Sequence, residues 1–316
     1  AASSRARRRA RPWWWQVQHR LAQGVVVLLV LFGLLLARFL TLEPTIARNY
    51  LAEAVAPIKA IDPAQQAWPR YRAGLISLAP DYPALTTTLN SVTHWTELRP
   101  ADPRWDELSQ KLTALAPVMA QLRAAAELPH CGFVPSVTAD NELEAALNPG
   151  WVAPGPDNTF GNTGDNPPLV AVLLPNLSHL RLISRLLSRD AIFAAGTGDG
   201  PRAAANLQAV LGTASHVREY PTVICDLVAF SHLVSAARTL NDILERWPDV
   251  LTDADLVALA HRFASTLGGG RITIDAALAG ERAMFQDFLQ RAFTDDGQGD
   301  GRITPAGIRL LNTYSA

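Results

Sequence analysis

The sequence predicts a mainly α-helical protein, with one N-terminal transmembrane helix followed by an extracytoplasmic domain of helical hairpins. Three observations lead there. Gly24 to Ala37 reads GVVVLLVLFGLLLA, an unbroken apolar run behind an arginine-rich start. From Pro175 to about Leu267, apolar residues recur at three- and four-residue steps, the period of one helix face. The breaks between those runs carry helix punctuation (Asp-Pro starts and glycine-rich stops) rather than strand alternation.

The apolar run extends from Leu21 to Leu42 once Arg38 is allowed to lift its guanidinium to the headgroups. That length meets the ~20 residues a bilayer span needs. Trp13, Trp14 and Trp15 stand just before it, where indoles with an apolar body and a polar N–H form an interfacial belt, and Arg20 borders the same edge. A cleaved signal peptide shares the positive start, but RFLTLEPTIA after Ala37 lacks the paired small residues of a cleavage site, so an uncleaved anchor is expected. Arg5, Arg7, Arg8, Arg9, Arg11 and Arg20 precede the span, whereas Arg38 and Arg48 beyond it are offset by Glu43 and Glu53. The excess of positive charge before the span places the N-terminus in the cytoplasm and the bulk of the chain outside. Lys59 and Lys111 are the only lysines among abundant arginine and alanine, the signature of a GC-rich, bacterial genome, so the expected location is the inner membrane with a periplasmic domain. The bilayer and other envelope proteins are the expected partners.

With net charge −1 overall and six arginines before the span, the remainder carries about −7. A mildly acidic exterior is a poor surface for polyanions, and nucleic acid is not an expected partner. The expected division is a tail over 1–20, an anchor over 21–42, a first helical subdomain over 43–128, a Gly/Pro/Asn-rich connection over 129–174 and a helical-hairpin subdomain over 175–316. Asp62-Pro63 and Asp102-Pro103 each combine an N-cap with proline in the first turn. The first opens a helix through Trp68 that Pro69 interrupts. The second opens a helix bearing Leu108, Leu112, Leu115, Met119 and Leu122 that Pro117 kinks or splits. Pro129 to Pro168, containing NPGWVAPGPDNTFGNTGDNPP, reads as turn chemistry without helical period. LVAVLL at 169–174 suits a lone strand or a helix start equally. Four helices then follow to about Leu267, the last opened by Thr252-Asp253-Ala254-Asp255 in the manner of a capping box.

Within this region, DAIFAAGTGDGPRAAANLQAVLGTA (190–214) places small residues on a first helix, a Gly-Asp turn, and small residues where the next helix docks. The stretch resembles tetratricopeptide-like helical arrays, built on a ~34-residue repeat. That resemblance covers one or two units and implies stacked helix pairs with a groove for proteins or peptides. The aromatic positions of the consensus are largely missing.

One segment carries metal chemistry. Asp296, Gln298, Asp300, Gly301, Arg302, Ile303 and Thr304 follow the order of an EF-hand loop, with helical patterns on both sides. The resemblance implies Ca²⁺ held by Asp296, Gln298, Asp300, the Arg302 carbonyl and Thr304. The loop, 296–307, departs at its twelfth position, where Gly307 replaces the bidentate glutamate. The alternative is a turn whose aspartates cap backbone N–H groups. Cys131 and Cys225 could pair in an oxidising compartment if the fold brings their Cα atoms within ~7 Å. The seven histidines show no HxxxH or HExxH spacing, and GxSxG, CxxC and a phosphate-cradling glycine loop are all missing. The expected role is therefore a membrane-anchored accessory, scaffold or interaction subunit. The alternatives are an envelope hydrolase and a calcium-responsive domain.

Overall fold

The computed structural model describes residues 13–81, 100, 102–152, 167–266, 273–295 and 301–315. These are helices and short connections, with three isolated β-bridges and no strand among the described residues. The chain divides into two compact units, one of Arg48–Phe288 and one of Ala1–Ala47 with Leu289–Ala316. This division cuts the chain at other places than 128 and 174.

In the larger unit, α2 (Tyr50–Lys59) is capped by Asn49, whose Oδ1 accepts from the Ala52 N–H at 2.9 Å. Asp62 caps a single 3₁₀ turn, Pro63–Gln65, and α3 (Trp68–Leu78) starts separately. Pro69 thus lies in the first turn of a helix rather than interrupting one, because an N–H there would lack an intrahelical partner anyway. Two donors at the start of α3 are met from outside: Ala67 N–H donates to His130 O (2.9 Å) and Trp68 N–H to Cys131 O (2.7 Å). Pro117 splits the next run into α4 (Pro103–Ala114) and α5 (Ala116–Ala126), as its missing N–H requires. The 129–168 stretch is not helix-free. Asp140 caps α6 (Asn141–Leu147), where Leu143 and Leu147 give one buried turn too short to show a period. Residues 169–174 form neither a strand nor a helix start, but a 3₁₀ turn at Leu169–Ala171 and one bridge between Leu173 and Ser136.

Then come α7 (Asn176–Gly196), α8 (Gly200–Val217), α9 (Val223–Arg246) and α10 (Asp253–Thr266). The capping box forms reciprocally: Asp255 N–H donates to Thr252 Oγ1 (3.2 Å) and Thr252 N–H to Asp255 Oδ2 (3.0 Å). α8 lies at the centre, packed on α5, α7, α9 and α10, while α7 also packs on α9 and α3 on α5 and α6. Leu122, Leu180, Leu207, Leu211 and Val228 share one continuous core. α5 approaches α8 closely at Gly212, where a Cβ would collide with the Ala126 carbonyl.

Inside this core sits an ion cluster. Asp190 on α7, wholly buried, receives the Arg202 guanidinium through both oxygens, Asn206 Nδ2 at 2.7 Å and Arg123 Nη1 at 3.3 Å. Arg123 also donates to Asn206 Oδ1 at 3.0 Å. The cluster ties α5, α7 and α8 together. Every partner of the carboxylate is a charged or amide donor, the condition under which a buried charge is tolerated.

The smaller unit contains α1 (Trp13–Leu40), the last turn of α11 (Asp275–Ala292) and α12 (Pro305–Ser315). Ala47 N–H donates to Gln290 Oε1 (3.1 Å), and Asp295 N–H to Thr45 Oγ1 (3.3 Å). Among the described residues, two helices are long and apolar enough to cross a membrane, α1 and α9.

Candidate functional site

The predicted interfacial residues all lie on α1. Trp13, Trp14, Trp15 and Arg20 stand exposed at its start, and Arg38 in its last turn. From Val25 to Leu36 every large apolar side chain is exposed, on all sides of the helix. None of the most apolar window is covered by the protein. The arginines ahead of Trp13 lie outside the described residues.

In the calcium-like loop, Asp296, Gln298 and Asp300 also lie outside the described residues, and the flanking atoms are engaged in the fold. Thr304 is buried, and its Oγ1 donates to Ala292 O (3.1 Å) and accepts from Gly307 N–H (2.9 Å), which makes it the N-cap of α12. The Arg302 carbonyl accepts from Thr294 N–H at 2.9 Å, beside the Phe293–Ile303 bridge. Gly307 fills the glutamate position for a steric reason: a Cβ there would strike the backbone of Ala292. Among the described residues, no three His, Cys, Asp or Glu side chains gather as a metal-binding group.

Cys131 and Cys225 are buried free thiols, not a disulfide. Burial pushes both thiols up, and Cys131 is raised further by Glu219 and Cys225. Both shifts favour the protonated thiol over the thiolate, which is the reactive form. Neighbouring His130 pairs through Nδ1 with Glu219 (3.1 Å), whose other oxygen accepts from Gly132 N–H at 2.6 Å. His216 is buried between the Tyr71 hydroxyl at Nδ1 (2.9 Å) and the Leu128 carbonyl at Nε2 (2.8 Å). The carbonyl can only accept, so Nε2 carries the proton and Nδ1 accepts from the tyrosine. His179, His216 and His232 are each held down at about 4, burial being the largest cause. These are neutral core histidines.

Among the described residues, two concave regions of the larger unit stand out. One of about 450 Å³ is bordered by Arg48, Glu53, Tyr50, Tyr220 and Met284. There Arg48 is already paired with Glu53 at 2.5 Å and lies over the Tyr50 ring. The other, about 400 Å³, runs between α7 and α9 past Arg189, Arg238, Ser188, Ser235, Asp242 and Thr239. Sequence reasoning missed this second groove. Its trace is the spacing Arg181, Arg185, Arg189, one arginine per helical turn on an otherwise core-forming helix. Like charges at that spacing oppose each other, so they are a signal separate from the apolar period.

The fold and site therefore define a mainly α-helical protein with an N-terminal apolar helix of bilayer length and a helical domain carrying a polar groove. No family model, curated protein or solved structure matches the chain.

Proposed function

We propose that this is a single-pass protein of a bacterial inner membrane, N-terminus cytoplasmic, whose periplasmic helix-pair domain serves as an accessory or scaffold subunit for other envelope proteins. The observation that carries the reading is α1. It is 28 residues long, about 42 Å at 1.5 Å per residue, apolar on every side from Gly24 to Ala37, and its most apolar window is uncovered by its own protein. Water disfavours such a surface by about 1.5–3 kcal/mol per large side chain, and a hydrocarbon layer does not. Tryptophans at one end and Arg38 at the other suit its two interfaces.

The packing order supports the tetratricopeptide-like part of the reading. α3 packs on α5 and α7 on α8, with α5 and α10 also on α8 and α9 on both α7 and α8. Layered helices of this kind leave outer faces that can recruit proteins. The topology is tested by C-terminal fusions: alkaline phosphatase is expected to be active and a green fluorescent reporter dark. The reverse pattern overturns the orientation, and release by alkaline carbonate overturns the anchor. Purification in mild detergent is expected to bring down a stoichiometric envelope protein. A monodisperse chain alone in every detergent tried overturns the scaffold role.

A further inference from the structure

Two arginines line the groove between α7 and α9, Arg189 from α7 and Arg238 from α9. Arg189 ends a run of arginines, Arg181, Arg185 and Arg189, set one per turn along α7, the spacing at which like charges destabilise a helix. Among the described residues, Arg181, Arg185 and Arg238 make no ion pair, although the domain as a whole is acidic and forms ion pairs readily elsewhere. Their positive field reaches inward: Arg181 and Arg185 add to burial in holding His232 down at about 4, and Arg185 adds to burial in lowering Arg189 to about 10.

The groove also has hydrogen-bond donors and an apolar wall. Ser188 Oγ and Ser235 Oγ are 3.2 Å apart, one donating to the other, so one hydroxyl hydrogen of the pair stays available. Ser231, by contrast, spends its hydrogen on Val228 O at 2.7 Å. Ile192 and Val234 supply apolar surface beside these groups. Asp242 lies in the lining as well, its carboxyl raised by burial. With Arg189 and Arg238 against Asp242, the lining carries a formal charge of about +1. A monoanion balances that charge, whereas a dianionic phosphate overshoots it and faces the aspartate.

We propose that the α7–α9 groove binds a monocarboxylate, its oxygens held by Arg238, Arg189 and the Ser188/Ser235 hydroxyls and its short apolar body lying on Ile192 and Val234. Arginine suits this task because its planar fork matches a carboxylate in two parallel hydrogen bonds. The inference is independent of the membrane reading, since the groove lies wholly in the larger unit.

The test uses the full chain in detergent and butyrate labelled with ¹³C at the carboxyl carbon as the probe, at constant ionic strength. The carboxyl resonance is expected to broaden and shift saturably at millimolar butyrate, with butyramide inert and inorganic phosphate at least tenfold weaker. Arg238→Glu, an exposed position, is expected to weaken butyrate binding at least tenfold, and Arg238→Lys to recover part of it. Arg246→Gln, on the same helix outside the groove, is expected to leave it unchanged. Circular dichroism of each variant checks that the fold survives. No saturable butyrate signal, equal binding by Arg238→Glu, or stronger binding of phosphate each overturns the proposal.

Discussion

α1 and α9 pass the same test of length and apolar content, yet the protein treats them differently. The most apolar window of α1 is wholly uncovered, while 39% of the corresponding window of α9 is buried. The difference lies in how far polar residues interrupt the apolar surface. α9 turns Cys225, Val228, Ala229, His232, Leu233, Ala236, Thr239 and Ile243 inward, while its outer surface mixes Asp226, Arg238, Asp242 and Glu245 with the exposed Ile224, Leu227 and Phe230. α1 has no such division between Gly24 and Ala37. A one-sided helix finds its apolar environment in its own domain, and an all-round one must find it elsewhere.

The strongest way to break this comparison is to charge both helices. Leu28→Arg with Leu31→Arg in α1 is expected to cost insertion about 5–7 kcal/mol, since each arginine at a span centre costs ~2.5–3.5 kcal/mol. Membrane fractionation should then find the chain in the soluble or aggregated fraction. Leu227→Arg with Phe230→Arg, both exposed on α9, should leave fractionation unchanged and stability within ~0.5 kcal/mol per site. Equal loss of membrane retention by both pairs would end the distinction.

Next in size is the ion cluster that binds α7 to its neighbours. Asp190→Ala leaves Arg202 and Arg123 facing each other in the core without their carboxylate, a loss of ~3–5 kcal/mol. For a domain of this size that lowers Tm by about 10 °C, measurable by circular dichroism. A change under 2 °C would mean water already compensates the cluster.

Acid should loosen the helical domain while sparing α1, whose described core is apolar. His179, His216 and His232 sit at about 4 in the native state, against ~6.5 in an unfolded chain. Below pH 6.5 the unfolded chain takes up protons the folded one refuses. The contribution of these histidines is therefore full above about pH 6.5, shrinks as pH falls, and is gone near pH 4. Urea midpoints should decline steadily from pH 7 to pH 4.5, and a flat profile would contradict buried neutral histidines. The smallest expected effect is local. Thr304→Val removes the N-cap of α12 and should cost ~1 kcal/mol, with Thr304→Ser near neutral, read by hydrogen exchange at the start of that helix.

Much of the helical domain was legible because its helices carry local signals. Thr252 and Asp255 announce a capping box, Pro117 marks the break at Leu115, and the leucines of α7 keep their period. Prolines were misjudged where position mattered more than identity: Pro69 begins a helix because two of its first-turn donors bond to residues 130 and 131, far along the chain. α6 was missed because seven residues cannot display a period. The α7–α9 groove was hidden for a different reason, since its arginines and serines come from helices about fifty residues apart.

The amino-acid order alone determined where most of the longer helices form, which run is apolar on all sides, and that the chain beyond that run is acidic, because caps, periodicity and charge are local or additive properties. Tertiary structure decided that α9 packs one face on α7 and α8, that Thr304 caps and Gly307 yields to Ala292, that Cys131 and Cys225 stay free, and that Arg189 and Arg238 line one groove. Those outcomes depend on which side chains approach through space, and distance along the chain does not encode that.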